Sequence, residues 1–225
     1  MIVIHITKRE HKINNNIHFL LKQIGSYFNL SMSYRHDADL QIPYGRIVRH
    51  KDHPIGLDLD NFIKDFGRRN SILSRKENQT QSLIAQFVSN CGSVSGREAV
   101  VKSLSRHLPV DVYGGCGTFE RPRTNSLKCL QQMGAKYKFY LSLENAVCKG
   151  YLTEKFFNIL PYNTIPVVLN GADMSTFAPK HSYINVQDFT TTIKLAEYLK
   201  KVASDDELFA PFFWWRDFYK LQVKI

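Results

Sequence analysis

Four short apolar runs in the later part of the chain predict the strands of one sheet. The runs are "LIAQFVS" (83–89), "VDVYG" (110–114), "YKFYLSL" (137–143) and "IPVVL" (165–169). The first and last are nearly continuous in apolar residues, which is typical of strands covered on both faces. The third alternates, so its aromatic and aliphatic side chains share one face.

Segments with helical periodicity separate these runs. Helices are predicted over 97–107, 154–160 and 191–202. Ser95 and Thr153 are expected to cap the first two, and Pro109 and Pro161 to end them. Alternating strands and helices predict an α/β fold with a doubly wound parallel sheet. Ligands of such sheets bind beyond the carboxyl ends of the strands.

Charged and amide side chains gather at that predicted edge. Glu144 and Asn145 follow one strand, while Glu154 and Lys155 open the next helix and Arg97 opens the helix of the preceding unit. Two cations at helix starts over one sheet edge suit a diphosphate. The alternative is a solvated face, in which a Glu-Lys pair in a first turn only caps the helix and carries surface charge. The sequence pattern leaves both interpretations open.

The overall charge also favours an anionic partner. The 225 residues carry a formal net charge of +10, which suits phosphorylated ligands, nucleic acid or an acidic membrane surface. Nucleic acid ranks last because no nucleic-acid-binding motif accompanies the charge. One basic cluster is interpreted either as a solvated linker or as a binding patch; its members are Lys64, Arg68, Arg69, Arg75 and Lys76.

Signatures of several other functions are missing. The cysteines and histidines lack zinc-site spacing, and the sequence predicts no metal site. "GGCG" (114–117) lacks the Lys-Ser/Thr of a P-loop, and no run approaches the ~18 apolar residues of a membrane span. The aromatic tail "FFWWRDFY" (212–219) is interpreted as core packing in preference to a sugar-stacking platform.

Three segments of the chain carry a recognisable pattern: "FNLSMSYRHDADLQIPYGRIV" (28–48), "FVSNCGSVSGREAVVKSLSRHLPVDVYGGCGT" (87–118) and "YKFYLSLENAVCKGYLTEKFFNIL" (137–160), the last followed by "IPVVLNG" and "INVQDF". These segments resemble the α1,3-fucosyltransferases of glycosyltransferase family 10. The cysteine positions resemble those of the subgroup that fucosylates the N-glycan core. The resemblance implies a GT-B-type glycosyltransferase, N-terminally truncated, with a partial acceptor-side domain over 1–60, a linker over 61–80 and a complete Rossmann-like domain for GDP-fucose over 81–220.

The resemblance also implies the donor-binding residues. Ser89 and Arg97 match contacts to the diphosphate, and Lys155 matches the cation on the β-phosphate. Tyr140 and Asn145 match contacts to the nucleotide sugar, and Tyr151 matches a residue that lies against the guanosine. Glu154 matches a carboxylate that binds the fucose hydroxyls or the ribose. Donor binding in this family needs no obligatory metal and no cofactor.

The activity implied is inverting transfer of fucose from GDP-fucose to a GlcNAc of a glycoprotein N-glycan in α1,3 linkage. Full-length members are anchored in the Golgi membrane and act on its lumenal side, which is the localisation the resemblance implies. For maturation in that pathway we expect a disulfide between Cys91 and Cys148, because both follow donor-domain strands.

The general base is where the sequence departs from the family. The family supplies this carboxylate from a Glu-Ser-Pro-like motif upstream of the stretch matching "FNLSMSYR", and here the one carboxylate in that interval is Glu10. Inverting transfer needs a base for the acceptor hydroxyl. Glu10 is therefore the weak candidate, and the alternative function is a non-catalytic module that binds GDP-fucose.

Overall fold

The computed structural model of the protein describes residues 3–5, 30–35, 38–49, 58–70, 83–120 and 126–223. Before residue 83 the elements are β1 (Val3–His5), β2 (Leu30–Ser33), β3 (Leu40–Gln41), β4 (Gly45–Arg49) and α1 (Leu59–Arg69). From residue 83 they are β5 (Ile84–Phe87), α2 (Arg97–Leu104), β6 (Val110–Tyr113), α3 (Ser126–Lys136), β7 (Phe139–Leu143), α4 (Glu154–Phe157), β8 (Ile165–Leu169), β9 (Ile184–Asn185), α5 (Thr192–Ser204), α6 (Asp206–Phe209) and β10 (Tyr219–Val223), with 3-10 turns at Met174–Thr176, Val186–Asp188 and Ala210–Asp217.

The central sheet contains five parallel strands in the order β6-β5-β7-β8-β9. The four predicted strand runs all contribute to it, so the prediction of an α/β fold with a parallel sheet is confirmed. Its longest pairing runs from Phe139 opposite Ile165 to Leu143 opposite Leu169. Strand order reverses between β5 and β7, because β6 lies on one side of β5 and the later strands lie on the other.

Both faces of this sheet are covered, which explains the nearly continuous apolar strands. Phe139 and Leu141 belong to the larger core, which includes residues of α2, α5 and the C-terminal tail. Tyr140, between them in sequence, belongs to a second core that includes Leu130 and Met133 of α3. Side chains from one strand therefore reach opposite layers.

Two predicted helices end earlier than the sequence suggests. α2 stops at Leu104, and its N-cap is Gly96 in the left-handed conformation (φ 74°), whereas Ser95 was the expected cap. α4 is capped by Thr153 as predicted, and its side chain accepts from the Lys155 N–H. It covers only one turn, because residues 158–160 continue as a hydrogen-bonded turn.

Residues 61–69 lie within the expected linker but form most of helix α1. Asp58 caps this helix, and Ile63 and Phe66 are buried on its inner side. Three members of the basic cluster, Lys64, Arg68 and Arg69, are exposed on α1, which favours the solvated interpretation for them. Arg75 and Lys76 lie outside the described residues. The division into domains at 60 and 80 stays a prediction.

The C-terminal tail joins the N-terminal elements to the central sheet. β10 pairs antiparallel with β4, and β1, β2 and β3 form a separate parallel sheet. The tail residues Phe212, Phe213, Trp214 and Trp215 are buried, which confirms the core interpretation of the aromatic tail. On α1, the Phe62 ring lies 6.3 Å from Trp214 and 5.0 Å from Phe218, centroid to centroid.

Candidate nucleotide-sugar site

A cavity of about 270 Å³ lies beyond the carboxyl ends of β5 and β7, where the strand order reverses. Open α/β sheets bind ligands at such switch points. Six of the seven predicted donor-binding residues line this cavity: Ser89, Arg97, Tyr140, Asn145, Glu154 and Lys155. The fold therefore gathers side chains that are up to 66 positions apart in the sequence, from residue 89 to residue 155.

Arg97 is almost completely buried at the cavity wall. Its guanidinium donates to the carbonyl oxygens of Asn90 (2.6 Å) and Leu143 (3.2 Å), and its Nε donates to the Glu98 carboxylate (3.2 Å). Arg97 thus connects the loop after β5 to the end of β7. These bonds use three of the five guanidinium N–H groups, so Arg97 both orders the cavity wall and retains donors for an anion.

Glu98 holds the same loop from its other side. Its carboxylate accepts from the Ser93 hydroxyl (2.7 Å) and the Ser93 N–H (3.1 Å). Burial alone would raise the pKa of Glu98, but hydrogen bonds from Ser93, from the Glu98 backbone N–H and from Arg97 together outweigh burial and lower it. The loop is fixed by charge-assisted bonds next to the cavity.

A disulfide also constrains this loop, with a pairing that corrects the sequence prediction. Cys91 is bonded to Cys116, in the loop after β6, and not to Cys148. Cys129 and Cys148 are free thiols. β6 pairs with β5, so the loops that leave their carboxyl ends are neighbours, whereas the loop after β7 leaves from the opposite side of β5.

Lys155 also lines the cavity, and it is paired with a buried carboxylate. Its Nζ is 2.9 Å from Glu144 Oε2 and 2.9 Å from Thr153 Oγ1. The Glu144 side chain is fully buried, and the Lys155 side chain is 18% exposed. The pair explains how two charges are accommodated in the otherwise apolar segment 140–160, because each compensates the other.

Tyr151 is the predicted site residue that does not line this cavity. It is buried beside the N-terminal elements, with its ring centroid 5.2 Å from that of Tyr34 in an edge-to-face contact. Burial, together with the charges of Glu144 and Glu154, raises the pKa of Tyr151. Its expected contact with guanosine stays a prediction.

The structure adds residues that the sequence interpretation missed. Asn90 and Asn158 line the cavity, and Asn90 follows β5 directly after the predicted Ser89, so the strand-end signal applies to it as well. Tyr44 precedes β4, and burial with the nearby carboxylates Glu154 and Glu144 raises its pKa to about 12. No local pattern connects Tyr44 with carboxylates a hundred or more positions away.

The apolar part of the cavity comes from aromatic and aliphatic side chains. Phe87, Tyr140 and Leu130 contribute, and the rings of Phe87 and Tyr140 meet edge to face at 6.0 Å between centroids. The cavity therefore combines cations, hydroxyl and amide groups with apolar walls. This combination suits a ligand with phosphate at one end and a sugar or flat ring at the other.

Within the described ranges, no group of three or more His, Cys, Asp or Glu side chains is arranged to hold a metal ion. In the same part of the chain no helix has the length and apolar character needed to cross a bilayer.

Comparisons with known proteins place the chain beside fucosyltransferases. Residues 77–225 match the family model described as glycosyltransferase family 10 (fucosyltransferase), C-terminal part. The chain is 35% identical over 201 residues to the Drosophila melanogaster α-(1,3)-fucosyltransferase C, covering 87% of this chain and 46% of that protein. It is 35% identical over 191 residues to the Drosophila melanogaster glycoprotein 3-α-L-fucosyltransferase A, covering 84% and 35%.

Among solved structures, the chain resembles an α1,3-fucosyltransferase crystallised with GDP-fucose, with a TM-score of 0.62 and 18% sequence identity. That match covers 94% of this chain and 65% of the solved one. At this identity the likeness supports the fold alone. The chain spans 46% and 35% of the lengths of the two Drosophila relatives it matches.

Proposed function

The chain belongs to glycosyltransferase family 10, and from this premise we propose that its cavity binds GDP-fucose and that the protein is an α1,3-fucosyltransferase. The observation that carries the proposal is the convergence of Arg97 and Lys155 on one cavity at the switch point. Both are cations, and they enter from different strand-helix units. A diphosphate between them would receive charge-assisted hydrogen bonds from two sides.

The chemistry of transfer gives these cations a role beyond binding. In the proposed reaction the acceptor hydroxyl oxygen forms a bond to fucose C1 while the bond from C1 to the β-phosphate oxygen breaks, with inversion at C1. The hydroxyl proton passes to a general base, for which Glu10 is the candidate, and the electron pair of the broken bond leaves with GDP. Negative charge then develops on the departing GDP. Lys155 and Arg97 would stabilise that charge more strongly in the transition state than in the ground state, which lowers the barrier.

We propose a GlcNAc of a glycoprotein N-glycan as the acceptor, fucosylated in α1,3 linkage. The support comes from the cysteine positions and from the printed name of the Drosophila glycoprotein 3-α-L-fucosyltransferase A. The same resemblance leads us to propose a GT-B arrangement, with a Rossmann-like donor domain over 81–220 and acceptor-side structure in residues 1–60. It also supports a Golgi-lumenal site of action and donor binding without an obligatory metal.

A non-catalytic GDP-fucose-binding module is the second candidate. Among the described residues that line the cavity, the one carboxylate is Glu154, which the resemblance assigns to the donor. The carboxylate of Glu144 is occupied by Thr153 and Lys155. Glu10, the weak candidate for the base, lies outside the described residues. GDP-fucose binding and fucose transfer must therefore be measured separately for this chain.

Two measurements on the purified chain test the proposals together. Calorimetric titration should detect GDP binding, and a transfer assay with GDP-fucose and an N-glycan acceptor should detect fucosylated product. Both should persist when a chelator such as EDTA is added. Binding with no transfer would favour the module, while absence of GDP binding would contradict both candidates. Guanosine, which lacks phosphates, is the matched control ligand and should bind more weakly than GDP.

A further inference from the structure

Glu144 is a buried carboxylate beside the cavity, and it is not among the cavity's lining residues. Its Oε1 accepts from the Thr153 N–H and lies 2.8 Å from both the nitrogen and the hydroxyl oxygen of Thr153. Its Oε2 accepts from the Lys155 ammonium at 2.9 Å. The carboxylate therefore holds the residue that caps α4 and the cation that lines the cavity.

The ammonium of Lys155 is held at two points. An ammonium has three donors, and the bonds to Glu144 Oε2 and Thr153 Oγ1 use two of them. The remaining N–H is available to a ligand in the cavity that Lys155 lines. The Lys155 backbone is fixed as well, because its carbonyl oxygen accepts from the Ser142 hydroxyl at 2.8 Å.

We infer that Glu144 is a positioning residue for the donor: it fixes the Lys155 ammonium so that one N–H meets the β-phosphate of GDP-fucose. The inference rests on the proposed function. A free lysine side chain loses rotamer freedom when it binds a ligand, and this loss weakens affinity. A lysine that is already held in place loses less. Glu144 would thus act on the phosphate only through Lys155.

Positioning and simple charge predict opposite effects of neutralising Glu144. Glu144 carries a negative charge near the site, so if charge alone mattered its removal would strengthen the binding of an anion. If positioning matters, Gln at this position has one acceptor oxygen, whereas the two oxygens of Glu144 now hold both Thr153 and Lys155. The Lys155 ammonium would then lose a hydrogen bond that fixes it. Binding of the β-phosphate would then weaken.

The test compares GDP with GMP, which lacks the β-phosphate, on wild type, Glu144→Gln and Glu144→Asp. Asp keeps the charge but withdraws the carboxylate by one methylene, and it keeps the site testable if the Gln variant does not fold. We expect about tenfold weaker GDP binding for both variants. GMP binding should stay close to that of wild type. Glu197→Gln, an exposed change of the same charge on α5, is the matched control and should bind GDP like wild type.

Three results would overturn the inference. They are GDP binding by the folded variants that equals or exceeds wild type, an equal loss for GDP and GMP, and a loss in Glu197→Gln as large as that in Glu144→Gln. A purely structural role of Glu144 predicts lower stability without a difference between the two nucleotides. If wild type itself binds no GDP, the proposed function fails, which is a separate outcome from the failure of the Glu144 inference.

Discussion

Lys155 is assigned two interactions: an ion pair with the buried Glu144 and a contact with the ligand proposed for the cavity. In the solvated-face interpretation of the sequence, a first-turn lysine carries only surface charge and would contribute little to folding. In the structure the Lys155 side chain is 18% exposed, and it is paired with a carboxylate that has no solvent exposure. Removing one partner of such a pair leaves the other charge buried. Lys155 therefore belongs to the stability of the protein as well as to its proposed site.

We predict that Lys155→Met lowers both GDP affinity and stability. Loss of the charge-assisted contact to phosphate should weaken GDP binding by ~10- to 150-fold. The free energy of unfolding should fall by about 3 kcal/mol, because Glu144 loses its counter-ion while Met keeps most of the aliphatic packing. Calorimetric titration and urea denaturation measure the two effects. Lys155→Arg, which keeps the charge, should recover part of each.

Lys180→Met is the matched control for this prediction. Lys180 pairs with Asp60 at 3.2 Å, but both side chains are more than 70% exposed. An exposed pair contributes about 1 kcal/mol or less, so stability should change little. If the Lys155 and Lys180 variants lose the same small amount, then Glu144 does not depend on Lys155 for its charge compensation.

Glu98 leads to a prediction about acid stability. Burial alone would raise the pKa of Glu98, but hydrogen bonds from Ser93, from the Glu98 backbone N–H and from Arg97 outweigh it, so the folded pKa lies below the ordinary value of 4.5. A lowered folded pKa means that Glu98 stabilises the fold above that ordinary value, and the contribution is lost as the pH falls through the lower folded pKa. Glu98→Gln should therefore be less stable than wild type near neutral pH, and the difference should shrink in acid.

Urea denaturation at pH 7, 5 and 3 measures the Glu98 effect. Glu197→Gln changes the net charge equally at an exposed position on α5 and serves as the reference. The stability difference between Glu98→Gln and Glu197→Gln could instead be the same at all three pH values. That result would show that the bonds to Ser93 do not depend on ionisation of Glu98.

At the scale of elements, the site depends on how the loops after β5 and β6 are fixed. The Cys91–Cys116 disulfide closes a separation of 25 residues, and Cys91 follows the cavity residue Asn90. Replacing both cysteines by Ser should lower the free energy of unfolding by about 3 kcal/mol, as loop-closure entropy indicates. GDP binding should weaken as well, because the loop that carries Ser89 and Asn90 loses a constraint.

Thiol counting provides the chemical check on this pairing. Under denaturing, non-reducing conditions we expect two free thiols, Cys129 and Cys148, and a peptide that links Cys91 to Cys116. Cys148→Ser is the control, because it removes a thiol without removing the disulfide, and it should leave the unfolding midpoint nearly unchanged. A peptide that links Cys91 to Cys148 would contradict the structure.

The elements also show which parts of the fold the sequence could predict. Apolar runs bounded by polar residues identified every strand of the central sheet except the two-residue β9. Helix α1 was not predicted, because the segment that contains its basic residues was interpreted as a linker. Its apolar positions Leu59, Phe62, Ile63 and Phe66 follow the i, i+3, i+4, i+7 pattern of a helix, behind the cap Asp58.

The site was predictable to the extent that it depends on strand ends. Asn145 follows a strand that the apolar pattern located, and Arg97 and Lys155 open the predicted helices, so their convergence follows from the parallel order. The pairing of Glu144 with Lys155 and the disulfide partner of Cys91 depend on loop paths across 11 and 25 residues. Loop paths have no periodicity in the sequence, so neither contact could be inferred from it.

At the scale of the whole molecule, residues from the N-terminal part pack directly against the element that carries the site. A Cβ added to Gly45, the first residue of β4, would lie 2.5 Å from the ring carbon Cγ of Phe157 in α4. Phe157 is buried in the main core. β4 also pairs with β10, so β4 contacts both the C-terminal strand and helix α4, which carries Glu154 and Lys155.

We therefore predict that Gly45→Ala destabilises the whole described fold by about 1 to 3 kcal/mol through overpacking against Phe157. Gly92→Ala is the matched control, since a Cβ there meets nothing within 4 Å, and its stability should be close to that of wild type. Because β4 and α4 share one core, the loss should appear as a shift of a single cooperative unfolding transition. Circular dichroism and tryptophan fluorescence, which report on secondary structure and on Trp214 and Trp215, should follow the same curve. Two separated transitions, with only the first shifted by Gly45→Ala, would mean instead that the N-terminal strands unfold independently of the sheet that forms the site.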